Sequence, residues 1–321
     1  WAGLPWALKM PLGHLVDLVW KHKGYLVGLG AAVIAASLLI MYGLIGHTGF
    51  MASIMPVETW FVTSFILGPV GYVIQDVVAD AMTVEAVPEQ DKNGNDIAPD
   101  QLKIMHTTMQ TLGRFAIIGG TVLVSLANVI MFTDVDSLDA AARIDLYADI
   151  YLYALIIPVI SIAGVVLARL QHSYRNVRAQ QAHQTATSPH QQAEINWSIL
   201  LGSLVFVVFS LSVGTSGIGY AQEIVFVGSV GIILFLMKRL VRFLKPEKRL
   251  MVVGTAIIIF TFRAMPSPGP GLTWFEIDQL LFNEQFLSIL SLIASILTLA
   301  GIILLRPFMA YIYSILPAIV V

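Results

Sequence analysis

Trp60-Phe-Val-Thr-Ser-Phe-Ile-Leu-Gly-Pro-Val-Gly-Tyr-Val-Ile74 carries no charge, and Gln75-Asp-Val-Val-Ala-Asp-Ala-Met-Thr-Val-Glu85 follows it without a break. An α-helix needs about 20 mainly apolar residues to cross the hydrocarbon of a bilayer. This stretch therefore reads as a membrane helix that ends in acids. Asp76 and Asp80 stand four residues apart and share one helical face. Carboxylates at that depth are costly, so they face a polar cavity or a partner. They are the first candidates for function.

Composition extends this to the whole chain. Of 321 residues, 57% are hydrophobic and 12% charged, with a mean hydropathy of +0.81. A soluble domain is roughly 25% charged, so this chain is solvated mainly by membrane lipid. Eighteen basic against 20 acidic residues give no reason to expect a nucleic-acid partner. The absence of cysteine excludes disulfides, thiol catalysis and thiolate metal sites. The seven histidines are scattered, and none forms an H-E-x-x-H pair. His14 and His106 suit helix ends, so no metal and no cofactor is expected. No Ser/His pair or nucleotide loop points to an enzyme.

Eight full apolar stretches follow one another: 24–45, 57–87, 103–132, 147–170, 196–214, 221–242, 250–265 and 284–305. A partial one stands at each end, 1–16 and 307–321, with Arg306 marking the last connector. Connector charge sets the topology. Lys21 and Lys23, then Arg169, Arg175 and Arg178, then Lys238 through Arg249 make basic connectors. The intervening ones hold Glu58, or Asp134, Asp136, Asp139, Asp145 and Asp149 against Arg143, or Glu223, or Glu276, Asp278 and Glu284. This alternation places the basic connectors inside. The connector 88–102 falls inside by parity although it is acidic; acids weigh little in that rule. Residues 171–195, rich in Gln, His and Ala, read as a cytoplasmic linker between two helical bundles.

Pro5-Trp-Ala-Leu-Lys9-Met-Pro-Leu-Gly13-His-Leu-Val-Asp17-Leu-Val-Trp-Lys21-His-Lys23 holds a glycine, an acid four residues on and a basic cluster. It resembles the loop between the second and third helices of the major facilitator superfamily. Gly13, Asp17, Lys21 and Lys23 would then form a cytoplasmic latch that breaks as the two halves rock. Leu18 and Trp20 depart from that pattern. Gln75-Asp-x-x-x-Asp-Ala followed by Glu85 is similar to the fourth helix of the folate-biopterin transporter family within that superfamily. Phe262-Arg263 through Trp274-Phe-Glu-Ile-Asp278, then Leu280-Leu-Phe-Asn-Glu-Gln-Phe286, resembles the same family's seventh helix and the loop after it. The muropeptide permeases carry a related acidic word and are the nearest rival.

The resemblance implies an all-α polytopic transporter of two bundles, here a fragment truncated at both ends with two extra helices between the bundles. Its parts are an N-terminal bundle 1–170, the linker 171–195, a two-helix insertion 196–244 and the start of a second bundle 245–321. The implied activity is secondary active transport of a small organic anion, folate- or pterin-like, by alternating access. The partners are that anion, membrane lipid and protons; the chain is expected as a monomer in a bacterial inner membrane or another energised membrane. Asp76, Asp80 and Arg114 would line the path and couple protons. The same residues allow a structural role, with Arg114 paired to the acids and locking helices 57–87 and 103–132 together. Glu85 fits a helix-end charge. Gln75, Arg263 and Trp274 are candidate substrate contacts, although Arg263 and Trp274 also suit interface anchors. Gly119-Gly120 suggests close packing, and Gly68-Pro69 a kink. A non-transporting assembly factor or receptor is the alternative of a different class.

Overall fold

A computed structural model describes residues 9–19, 23–88, 90–91, 95–181, 197–242, 245–263 and 269–319. Helices fill almost all of this: α1 (Lys9–Leu18), α2 (Lys23–Gly46), α3 (Thr48–Ile54), α4 (Val57–Glu85), α5 (Pro99–Met131), α6 (Ala140–Ala154), α7 (Ile156–Gln181), α8 (Trp197–Thr215), α9 (Ala221–Val241), α10 (Pro246–Arg263), α11 (Pro270–Asp278) and α12 (Glu284–Ile319). No strand occurs among the described residues, only an isolated bridge between Gln90 and Asp96. Among the described residues, five spans are long and apolar enough to cross a membrane: Lys23–Gly46, Val57–Val84, Gln101–Ser137, Ala140–Leu170 and Glu284–Leu305. Leu123, Ile130, Ile160, Val166 and Leu297 are among many large apolar side chains left exposed. Lipid, not water, solvates such a surface. The protein is an all-helical, multi-pass membrane protein.

Three helix boundaries differ from the sequence expectation, each for a local reason. The span expected at 147–170 begins earlier, at Ala140, because the Asp139 carboxylate caps it by accepting from the Ala142 amide at 2.8 Å. That span is also divided at Leu155. Pro158 has no amide proton to return to the Ala154 carbonyl, and the Leu155 amide bonds instead to the Leu152 carbonyl, three residues back. Arg306 does not mark a connector: α12 runs unbroken through Arg306-Pro307 to Ile319. One proline removes a single ladder bond, and the apolar flanks on both sides keep the remainder helical. Helix α7 likewise continues to Gln181, eleven residues into the stretch expected as linker, since Gln, Arg and Ala are good helix formers. Residues 182–195 of that stretch lie outside the described residues.

The described chain forms two compact units. The larger comprises residues 19–191 and 281–321, and α2 is its hub, packing on α4, α6 and α7, while α12 packs along α5. Small residues on α2 set how closely its neighbours come. A Cβ added to Gly30 would lie 2.8 Å from the Gly71 carbonyl oxygen, and one added to Gly71 would lie 2.7 Å from that of Gly30. Two helical turns further along, the Ser37 hydroxyl donates to the Ser64 carbonyl at 2.8 Å and the Ser64 hydroxyl donates to the Ser37 carbonyl at 2.9 Å. Both hydroxyls are buried, so each polar group is satisfied by the partner helix. Gly30 opposite Gly71 and Ser37 opposite Ser64 define an antiparallel pair. Gly68, beside Pro69 within α4, also sits against the Ser37 hydroxyl.

Gly119 and Gly120 on α5 do not mediate close packing: a Cβ at either would meet nothing within 4 Å. The smaller unit comprises residues 1–18 and 192–280. In it α1 packs on α8 and α8 on α9, where the Phe209 ring lies directly over Gly228. Val16, Val207, Ser210 and Val241 are its buried residues among those described.

Candidate functional site

The inner half of α4 carries the acids. Val73, Val77 and Val78 turn into the packed interior, so the polar residues between them are held at the helix–helix boundary. Gln75 is half-buried. Its Nε2 donates to the Val27 carbonyl on α2 at 3.2 Å, and its Oε1 accepts from the Ser161 hydroxyl on α7 at 3.4 Å. Ser161 shares that proton with the Ile157 carbonyl at 3.3 Å. One amide therefore ties three helices, and its aliphatic stem fills the space that a side chain at Gly30 would need.

Asp76 is half-buried next to Gln75, and Asp80, one turn further on, is exposed. The Thr83 hydroxyl donates to the Asp80 carbonyl at 2.6 Å. Glu85 closes the helix. The antiparallel register carries Lys23, at the start of α2, to the level of Val78, between the two aspartates along the axis. Arg169 belongs to the same end of the unit: its guanidinium lies 5.2 Å from the Tyr25 ring centroid, across Gly24. Two carboxylates and two cations thus collect where the positive-inside rule puts the cytoplasm.

Arg114 is exposed on α5 and forms no ion pair with Asp76 or Asp80. The helix-locking pair is thereby corrected. Helix α4 lays its packed face on α2, and α5 packs chiefly on α12. Gly13 and Asp17 lie in α1, and Lys21 lies outside the described residues. Arg263 closes α10, and Trp274 is exposed on α11; Pro5, Trp6, Pro266 and Pro268 lie outside the described residues. No group of three or more His, Asp or Glu suited to a metal occurs among the described residues.

A second polar cluster stands at the opposite end of the larger unit, and sequence reasoning assigned it no role beyond charge. Asp136 Oδ2 accepts from Asn283 Nδ2 at 2.7 Å, and its Oδ1 lies 3.9 Å from Arg143 Nη2. Arg143 also donates to the Val135 carbonyl at 3.0 Å. Asn283 caps α12 by accepting from the Phe286 amide at 2.9 Å. The Tyr147 hydroxyl donates to Glu284, and the Tyr147 ring meets Phe132 edge-on, 6.1 Å between centroids. Asp134 and Leu281 adopt left-handed backbone conformations (φ +59° and +54°) in the segments that deliver Asp136 and Asn283. The signal in the sequence was the Asn283-Glu284 pair at a helix start, together with the acids of 134–139.

No family model, no curated protein and no solved structure matches this chain.

Proposed function

We propose that the chain is a secondary active transporter of the major-facilitator type, moving a small organic anion of the folate or pterin class across a membrane by alternating access. Protons couple through Asp76, assisted by Asp80. The observation that carries this is a half-buried aspartate adjoining an amide that binds two other helices. A carboxylate that alternates between a wet and a dry setting takes up and releases a proton. Gln75 converts any change at Asp76 into a change at the α2–α4–α7 junction, because its hydrogen bonds leave it little freedom to move independently. Arg114, exposed on α5, is a cation able to receive a substrate carboxylate. The substrate class rests on the resemblance of the 75–85 word and of the segments 262–278 and 280–286. The two-bundle architecture rests on the same resemblance.

The test is uptake by proteoliposomes of labelled folate, biopterin and muropeptide, with and without an inward proton gradient. The proposal expects gradient-dependent uptake of one of the first two. Asp76→Asn should lower the gradient-dependent component at least about a hundredfold, the low end of the contribution usual for a single proton-transfer group. Uptake that keeps its proton dependence in Asp76→Asn refutes the coupling role. Uptake of muropeptide alone moves the substrate class, and uptake of nothing favours the non-transporting assembly factor or receptor.

A further inference from the structure

Helices α9 and α10 of the smaller unit are joined by the most basic stretch of the chain. Lys238-Arg-Leu-Val-Arg242-Phe-Leu-Lys245-Pro-Glu-Lys248-Arg249 holds six cations and one acid. Leu234, Met237, Lys238 and Val241 recur at i, i+3, i+4 and i+7 and so form one face of α9. Arg249 and Val253, four residues apart, face them from α10, and these six residues line a cleft of about 200 Å³. Val241 is buried at its floor, and Lys238 and Arg249 stand exposed at its edge. No carboxylate among the described residues pairs with Lys238, Arg242, Lys245, Lys248 or Arg249.

The geometry points to a binding site for an anionic phospholipid in this cleft, with its phosphate between Lys238 and Arg249 and the upper part of one acyl chain against Leu234, Met237, Val241 and Val253. Two features exclude simpler occupants. A free oxyanion gains from the cations but nothing from four apolar side chains. A zwitterionic lipid brings its own cation to a stretch that already has six. The volume falls below that of pockets enclosing a drug-sized molecule. It admits a headgroup and the start of a chain, while the rest of the lipid stays in the bilayer. The guanidinium of Arg249 offers a planar fork to phosphate oxygens and Lys238 a point charge. The position suits the ligand as well: the basic end of a helix pair lies at the leaflet where anionic headgroups collect. The transport proposal is independent of this site.

Native mass spectrometry of the detergent-purified protein, titrated separately with phosphatidylglycerol, phosphatidylcholine and inorganic phosphate, tests it. Phosphatidylglycerol should bind preferentially, and added salt should weaken it. The double variant K238Q/R249Q should bind it about 30-fold less, from about a fivefold loss per cation. K238R/R249K should keep binding, as should R175Q/R178Q, which removes two cations elsewhere. Equal binding of phosphatidylcholine, or undiminished binding by K238Q/R249Q, overturns the site. Displacement of the lipid by an equal concentration of inorganic phosphate reassigns the cleft to a free anion and also overturns it. Should K238Q/R249Q fail to fold, the salt titration of the unaltered protein decides: salt-independent binding rejects the proposal.

Discussion

Gln75 answers to two other helices through one amide, and Gly71, one turn before it, lets those helices come close enough for the amide to reach. The two residues contribute differently. A methyl group at position 71 would lie 2.7 Å from the Gly30 carbonyl oxygen and 2.9 Å from the Ile34 amide nitrogen. Those are backbone atoms and cannot swing aside, so Gly71→Ala should part α2 from α4 at a cost of about 1–3 kcal/mol. Gln75→Leu removes hydrogen bonds of a kind that averages about 0.6 kcal/mol between membrane helices. Thermal unfolding in detergent should therefore rank Gly71→Ala as the more damaging change. The opposite order would mean that the amide, and not the close crossing, holds the pair. Asp76 and Asp80 are legible in the sequence because a charge stands out in an apolar run. Gly30, Ser37 and Ser64 are not, since a small residue in such a run looks the same whichever way it faces. The partners of Gln75 lie 48 and 86 positions away, beyond the reach of any local pattern.

At the scale of elements, α12 is fastened at its first turn by groups that belong to others. Asn283 both caps it and binds Asp136, and Glu284 takes the Tyr147 hydroxyl proton. Tyr147→Phe leaves the Glu284 carboxylate short of a donor, and a hydrogen bond to a charged group contributes about 1.5–3 kcal/mol. Asn283→Ala loses the cap as well as the Asp136 contact, for which about 1 kcal/mol is typical of the cap alone. Both variants should melt at lower temperature, and protease should cut the 132–139 segment faster; unchanged cleavage would show that this end is secured by packing alone. Helix positions are legible wherever 20 apolar residues run together, as in α2, α4 and α5. Their neighbours are not. These helices are apolar around most of their circumference, so periodicity does not say that α5 turns to α12 while α4 turns to α2. The start of α6 is an intermediate case, since Asp139 ahead of three alanines is a readable cap inside a segment whose acids read as loop.

For the whole molecule, the larger unit fixes a parity. Gln181 closes a helix whose Arg169 belongs with the start of α2, and Glu284 opens a helix at the end where α5 stops and α6 begins. An odd number of crossings is therefore expected between them; α8 and α9 hold shorter apolar stretches there, Leu204–Gly214 and Glu223–Ile232, and the expectation is that α8, α9 and α10 all cross. The absence of cysteine makes this directly measurable. Single cysteines replacing Ser137 and Ser216 should react with a membrane-impermeant maleimide from one face, and those replacing Gln90 and Lys245 from the other. Labelling of the Ser216 position together with that of Gln90 would mean that α8 does not cross. The same architecture bears on how the protein is made. Ser125 on α5 meets Ser291 on α12, two hydroxyls 3.0 Å apart in space and 166 positions apart in the chain. At ribosomal speed that separation lasts about 10 to 30 s. Throughout that interval the face of α5 that will receive α12 has no partner, and lipid, a provisional neighbour or the insertion machinery has to shelter it.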